Sequence, residues 1–230
     1  MTYKKNWTMR AAVLLLALVL ITSCFVGGTF AKYVTGKSGS DTARVAKFGV
    51  NITATTGMFS KEYAKKDTSF TLAANTVVSS NNDKLVAPGT SQNMAEFGLT
   101  GTPEVAVRVS YDLKKFDLTN WTTDGTEEYC PLVFTVNGTD YSIDGTTITN
   151  VAGLKTAVVN AVNGYTKDYE ANTDLSNKTA DNLKISWKWD FHTSDENDVK
   201  DTALGNRAAE NVDDAGKIDI ELTATVTQID

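Results

Sequence analysis

The sequence predicts an all-β fold, an antiparallel β-sandwich of jelly-roll type with one inserted amphipathic helix. Three runs predict it. Val105, Val107, Val109, Tyr111 and Leu113 alternate with Ala106, Arg108, Ser110 and Asp112, and the runs 183–191 and 218–226 alternate in the same way. One apolar and one wet face per strand is the pattern of an antiparallel sheet packed against a core on one side. A helical period appears in one place, where Val151, Leu154, Val158, Val162, Tyr165 and Tyr169 recur three or four apart. That spacing predicts a helix over 151–169, weakened toward its end by Gly164. Short alternating strands broken by turn residues complete the sandwich pattern.

Taken in order, the chain opens with Lys4, Lys5 and Arg10, followed by the apolar run 11–26, which is interrupted by Thr22, Ser23 and Cys24. A basic start and a short apolar stretch have the form of a signal peptide, and a membrane span needs about 20 apolar residues. Thr29 and Ala31 put small residues at the −3 and −1 positions of a cut before Lys32, which makes residues 1–31 the signal peptide. Two rivals remain open. Ile21-Thr22-Ser23-Cys24 also fits a lipobox in which Cys24 carries the lipid, and an uncut leader would stay as a membrane anchor.

Residues 32–47 form a polar arm rich in Gly and Ser, expected to be mobile in a lone monomer. Residues 48–230 form the sandwich domain. Phe48, Val50 and Ile52 predict a half-buried first strand. Residues 61–66 look like a charged loop, Phe70 and Leu72 begin a strand, and Asn81-Asn82-Asp83 and Pro88-Gly89 mark turns. Leu132, Phe134 and Val136 predict a strand that turns back at Asn137-Gly138 toward Tyr141 and Ile143. Residues 195–214 look like an acidic loop with a helical turn near 203–209.

Gly27-Gly28-Thr29-Phe30-Ala31-Lys32-Tyr33, a polar linker and then a strand resemble the TasA/camelysin family of secreted bacterial biofilm-matrix fibre proteins, whose leaders are cut by a dedicated, SipW-type signal peptidase. Ala87-Pro88-Gly89-Thr90, Gly101-Thr102-Pro103-Glu104 and the final strand ending at Thr227-Gln228 extend the resemblance in order and spacing. It implies a jelly-roll fold, export to the cell surface or medium, and a structural subunit whose partners are further copies or related fibre subunits. It also implies donor-strand exchange. In that scheme Lys32, Tyr33, Val34 and Val45 of the freed arm fill the sheet edge of a neighbour; the other reading of the arm is a spacer.

Composition narrows the chemistry. Removing the leader's three basic residues leaves 19 Lys and Arg against 28 Asp and Glu, a net charge of about −9 that disfavours nucleic acid and anionic membrane surfaces. Membrane contact is then expected only through the uncleaved leader. Of the two cysteines, Cys24 and Cys130, only Cys130 would survive the cut, so the mature chain forms no intramolecular disulfide. Cys130 is expected to be a small buried apolar residue.

Some proteins similar to the family carry a metallopeptidase label, but a catalytic zinc site of that kind wants two histidines one helical turn apart, and this chain has one, His192. No catalytic residue, resident metal or cofactor is assigned, and no enzymatic activity is expected. His192 is placed as a solvent-facing strand residue. The acidic group at 195–201 is either a calcium-gathering loop or a solvated one. The alternative to a fibre subunit is a lipid-attached or anchored surface module that binds carbohydrate or protein, using Trp121, Trp187 or Trp189.

Overall fold

The computed structural model describes residues 7–31, 43–54, 57–66 and 75–229. The chain divides into two units, Met1–Val45 and Ala46–Asp230. The first holds α1 (Trp7–Ala31), whose Ala- and Leu-rich sequence favours a helix and whose described side chains are all exposed. Among the described residues no helix is long and apolar enough to cross a membrane.

The second unit is β-rich. Its strands are β1 (Val50–Ala54), β2 (Glu62–Ala64), β3 (Asn75–Val78), β4 (Ser91–Gly101), β5 (Val107–Thr119), β6 (Leu132–Val136), β7 (Thr139–Tyr141), β8 (Thr166–Tyr169), β9 (Lys184–Trp189) and β10 (Lys217–Gln228). Two helices, α2 (Val151–Asn163) and α3 (Asp195–Glu210), interrupt them. The strands form a five-stranded sheet in the order β1-β4-β9-β6-β7, a three-stranded sheet in the order β10-β5-β8, and the pair β2-β3. All pairings are antiparallel.

Alternation builds the core as expected. Val107, Val109, Tyr111 and Leu113 of β5, Leu132, Phe134 and Val136 of β6, and Ile185, Trp187 and Trp189 of β9 are buried. Each such side chain contributes about 1.5–3 kcal/mol by leaving water. The inner faces of the two larger sheets meet through rings: Phe116 of β5 stands edge-on to Phe134 of β6 at 5.0 Å, and Tyr111 of β5 lies 5.5 Å from Phe97 of β4. The β6–β7 turn uses Asn137 (φ 48°) and Gly138 (φ 86°), the two left-handed residues that a tight hairpin of this hand requires.

The structure corrects several expectations. The helix predicted over 151–169 ends at Asn163. Gly164 closes it, and Thr166–Tyr169 becomes β8, paired with Val107–Ser110 of β5. Tyr169 is therefore buried from a strand. β5 runs six residues past Leu113, because Lys114 is a bulge that shifts the alternation by one and returns Phe116 and Leu118 to the core.

The expected acidic loop is mostly helical: α3 contains the helical turn expected near 203–209 and begins eight residues before it. Ser194 caps it by accepting from Asn197 N, and Asp195, Glu196 and Asp198 sit in its first turn, where the helix dipole favours acids. Glu62–Ala64 is a strand rather than a loop. Val50 is half-buried, but Ile52 and Phe48 are exposed, because β1 lies at a sheet edge. Phe191 does not continue the buried row of β9 and is 77% exposed. Phe70 and Leu72 lie outside the described residues.

Candidate functional site

Two features of the second unit stand out: the point where the chain enters β1 and the free edge of the smaller sheet. The entry point is fixed by backbone geometry. Lys47 N donates to Glu104 Oε2 at 2.8 Å, and Glu104 N donates back to Lys47 O at 2.8 Å. Gly49 (φ 45°) then turns the chain into β1, and Val50 pairs with Gly101. Gly101 has φ 116°, and a Cβ there would sit 2.1 Å from Gly49 O, so the backbones touch where only glycine fits. Gly101-Thr102-Pro103-Glu104 thus holds the root of the arm.

The edge is β10. It pairs with β5 over twelve residues, and in the order β10-β5-β8 its other side carries no strand among the described residues. Its inward residues Ile218, Ile220, Leu222, Ala224 and Val226 are only half-buried, whereas their cross-strand partners on β5 are buried. The outward residues keep the edge wet, with Lys115 Nζ 3.2 Å from Asp219 Oδ2. A long edge of this kind presents unpaired N–H and C=O groups beside incompletely covered apolar side chains.

The residues that the sequence assigned to processing and exchange fall mostly outside this description. Thr29 and Ala31 lie in the backbone of α1, which ends at Ala31, and Cys24 lies in the same helix. Lys32, Tyr33 and Val34 are outside the described residues. Val45 is 91% exposed.

The tryptophans proposed as a binding platform are core residues. Trp121, Trp187 and Trp189 are 3%, 1% and 6% exposed, so none shows a ring face to solvent. Their indole N–H groups donate inward, Trp121 to Lys217 O, Trp187 to Met58 O and Trp189 to Asp201 Oδ2. Asp201 also accepts from the Tyr129 hydroxyl at 2.8 Å. Burial pushes the Asp201 carboxyl up, against these two hydrogen bonds that draw it down. The group fastens α3 to β9. Cys130 is buried, and burial pushes its thiol up to about 12, which leaves it unreactive.

His192 is exposed as expected, but it lies in the turn between β9 and α3 and not on a strand. Its Nδ1 is 2.7 Å from Asp198 Oδ2, and one ligand atom each from His192, Asp195 and Asp198 fall within 4.8 Å of one another. The two acids already serve the first turn of α3, and the side chains of His192 and Asp198 are 56% and 44% exposed. The helix dipole favours both acids in that first turn, and His192 pairs with one of them.

Comparison with family models, with curated proteins and with solved structures finds no match to this chain.

Proposed function

We propose that this chain is an exported, non-enzymatic structural subunit that assembles into extracellular fibres of a bacterial biofilm matrix, as the TasA/camelysin resemblance implies. In this reading the two larger sheets form a jelly-roll-like sandwich, signal peptidase frees the arm at Lys32, and residues 32–47 of one subunit pair with a neighbour. The observation that carries it is the twelve-residue edge of β10 with its half-buried inward row. An added strand would complete the backbone pairing and cover Ile218, Ile220 and Leu222.

A head-to-tail contact of this kind propagates instead of closing. The fixed root at Lys47 and Glu104 supports it, because a donor segment needs a firm point of attachment. Until the leader is cut, it holds the arm at the membrane. A net charge of about −9 suits a soluble subunit that awaits a specific partner.

The test is electron microscopy of the concentrated secreted protein beside two variants. Deleting residues 32–41 removes the donor, and Ile220→Lys puts an inward charge on the acceptor edge. Both are expected to give folded monomers without filaments. Filaments of unchanged yield and form from either variant would overturn the mechanism, and intact-mass measurement of the secreted protein separates a cut before Lys32 from acylation at Cys24.

A further inference from the structure

We propose that the outer face of the five-stranded sheet is a carbohydrate-binding groove, with Phe191 as the surface on which a sugar ring stacks. This goes beyond the fibre reading and uses a different face from β10. The groove has a volume of about 670 Å³ and lies over β4, β9 and β6.

Strand register lays polar side chains across its floor in rows. Asn93, Ser186 and Thr135 are cross-strand neighbours on β4, β9 and β6, and Ser91 faces Lys188 in the next row. Adjacent side chains in such a row are spaced by the distance between strands, about 4.8 Å. They offer both donors and acceptors to a ligand lying across the strands. At the rim Lys188 Nζ is 3.0 Å from Asp190 Oδ2, and Lys66 Nζ donates to Ser91 Oγ at 2.9 Å, so the lining carries one cation beyond that ion pair.

Phe191 stands beside this floor. Its ring rests against the turn at Gly89, where an added Cβ would come within 3.3 Å of Phe191 Cδ2, and 77% of the residue remains exposed. A lone exposed apolar residue is ordinary on a protein surface. An exposed ring braced against a glycine turn and overlooking a polar groove has the two elements that sugar recognition uses: an aromatic face for C–H groups and oriented partners for hydroxyls.

The alternative occupant is another protein. Protein interfaces of standard size bury about 1,200–2,000 Å² around an apolar centre. The floor here is Ser, Thr, Asn and Lys with one ring at its rim, which favours a ligand rich in hydroxyls. The expected ligand class is therefore a neutral or weakly charged polysaccharide segment.

Native affinity electrophoresis of the secreted protein through gels containing xylan, β-glucan, galactomannan, dextran or alginate tests this. At least one polymer should retard the protein. Phe191→Ala should weaken that binding about tenfold, as loss of one stacking contact does, while Phe191→Trp retains it. Ser186→Arg, which fills the floor without touching the ring, should also abolish retardation. Circular dichroism melting checks that all three variants keep their fold. Failure of every polymer to retard the protein would overturn the proposal, as would Phe191→Ala and Ser186→Arg being retarded as strongly as the unsubstituted protein. Loss of filaments in Phe191→Ala with polysaccharide binding unchanged would assign the ring to a protein contact instead.

Discussion

β5 and β10 are read from the sequence by the same rule and end in different environments. Both are long, both alternate apolar with polar residues, and they pair with each other over the length of β10. Yet every inward residue of β5 from Val107 to Leu118 is buried, and none of β10 is. Alternation records which side chains face the core. How deeply they lie depends on whether a strand has a neighbour on both sides, and that is settled by sheet order.

The largest effect that would break this comparison comes from matched truncations. Leu113 and Leu222 are cross-strand partners, so Leu→Ala at each removes the same atoms from opposite sides of one rung. Leu113→Ala should cost about 3–5 kcal/mol by leaving a cavity in a closed core. Leu222→Ala should cost about 1–2 kcal/mol in the monomer, since its side chain has less burial to lose. Urea unfolding of the arm-deleted protein measures both. Equal losses would mean that β10 is as deep as β5 and is no open edge. Under the proposed strand exchange, the cost of Leu222→Ala should rise toward that of Leu113→Ala once a donor strand covers β10.

Much of the fold was legible because strand faces repeat every two residues. Residues 132–143, 183–189 and 218–226 were placed from that period and from the Asn137-Gly138 turn. The failures have separate physical causes. Lys114 shifts the period of β5 by one, so the alternation read from the sequence ends at Leu113. Tyr165 and Tyr169 fell in helical phase with α2 by coincidence, although Gly164 had already ended it. Only a helical turn near 203–209 of α3 is legible, because the helix buries only Leu204 and carries no apolar stripe. Its signal was the cap, Ser194 followed by three acids in four residues. Neither the β10 edge nor the groove under Phe191 could be read, since strand order and the facing of cross-strand neighbours are properties of pairing. Trp121, Trp187 and Trp189 drew attention by residue type, while the exposed ring proved to be Phe191.

A smaller effect separates the two flanks of β5 by pH. On one side Arg108 holds Asp168 of β8 in a two-pronged pair at 2.6 and 2.7 Å, and that hydrogen bonding draws the Asp168 carboxyl down. A hydrogen bond from Lys155 of α2 likewise draws Asp117 down. The folded values lie below the ordinary 3.8, so this stabilisation is present above about pH 4 and is lost as pH falls below it. Asp144 behaves in the same way. It is held at about 2 by the backbone N–H groups of Thr146, Ile148 and Thr147, so its contribution fades between about pH 4 and pH 2. Hydrogen exchange at pH 3 should therefore loosen β8 and the turn at 144–148 before the β5–β10 ladder. Asp168→Ala should lower the melting temperature at pH 7 and flatten its further fall between pH 4 and pH 2. Earlier exchange in β10 than in β8 would contradict the assignment.

The smallest expected effect is that of metal removal, and it concerns the turn between β9 and α3. His192, Asp195 and Asp198 bring three potential ligand atoms within 4.8 Å, a geometry a divalent cation accepts. The position opposes it. The acids stand at the N-terminal end of α3, whose unpaired N–H groups and dipole favour negative charge and repel a cation. Asp198 Oδ2 already engages His192 Nδ1 at 2.7 Å, and solvent reaches all three residues. An ion would have to displace His192 from Asp198 Oδ2 and compete with water for the exposed Asp195. Treatment with EDTA, and separately addition of calcium or zinc, should shift the melting temperature by less than about 1 °C, far below the roughly 4–8 °C per kcal/mol typical of small domains and the 2–4 °C of larger ones. A drop of several degrees with EDTA that calcium restores, and that Asp195→Asn and Asp198→Asn abolish together, would make this turn a cation site. It would then fasten α3 to the five-stranded sheet alongside Asp201.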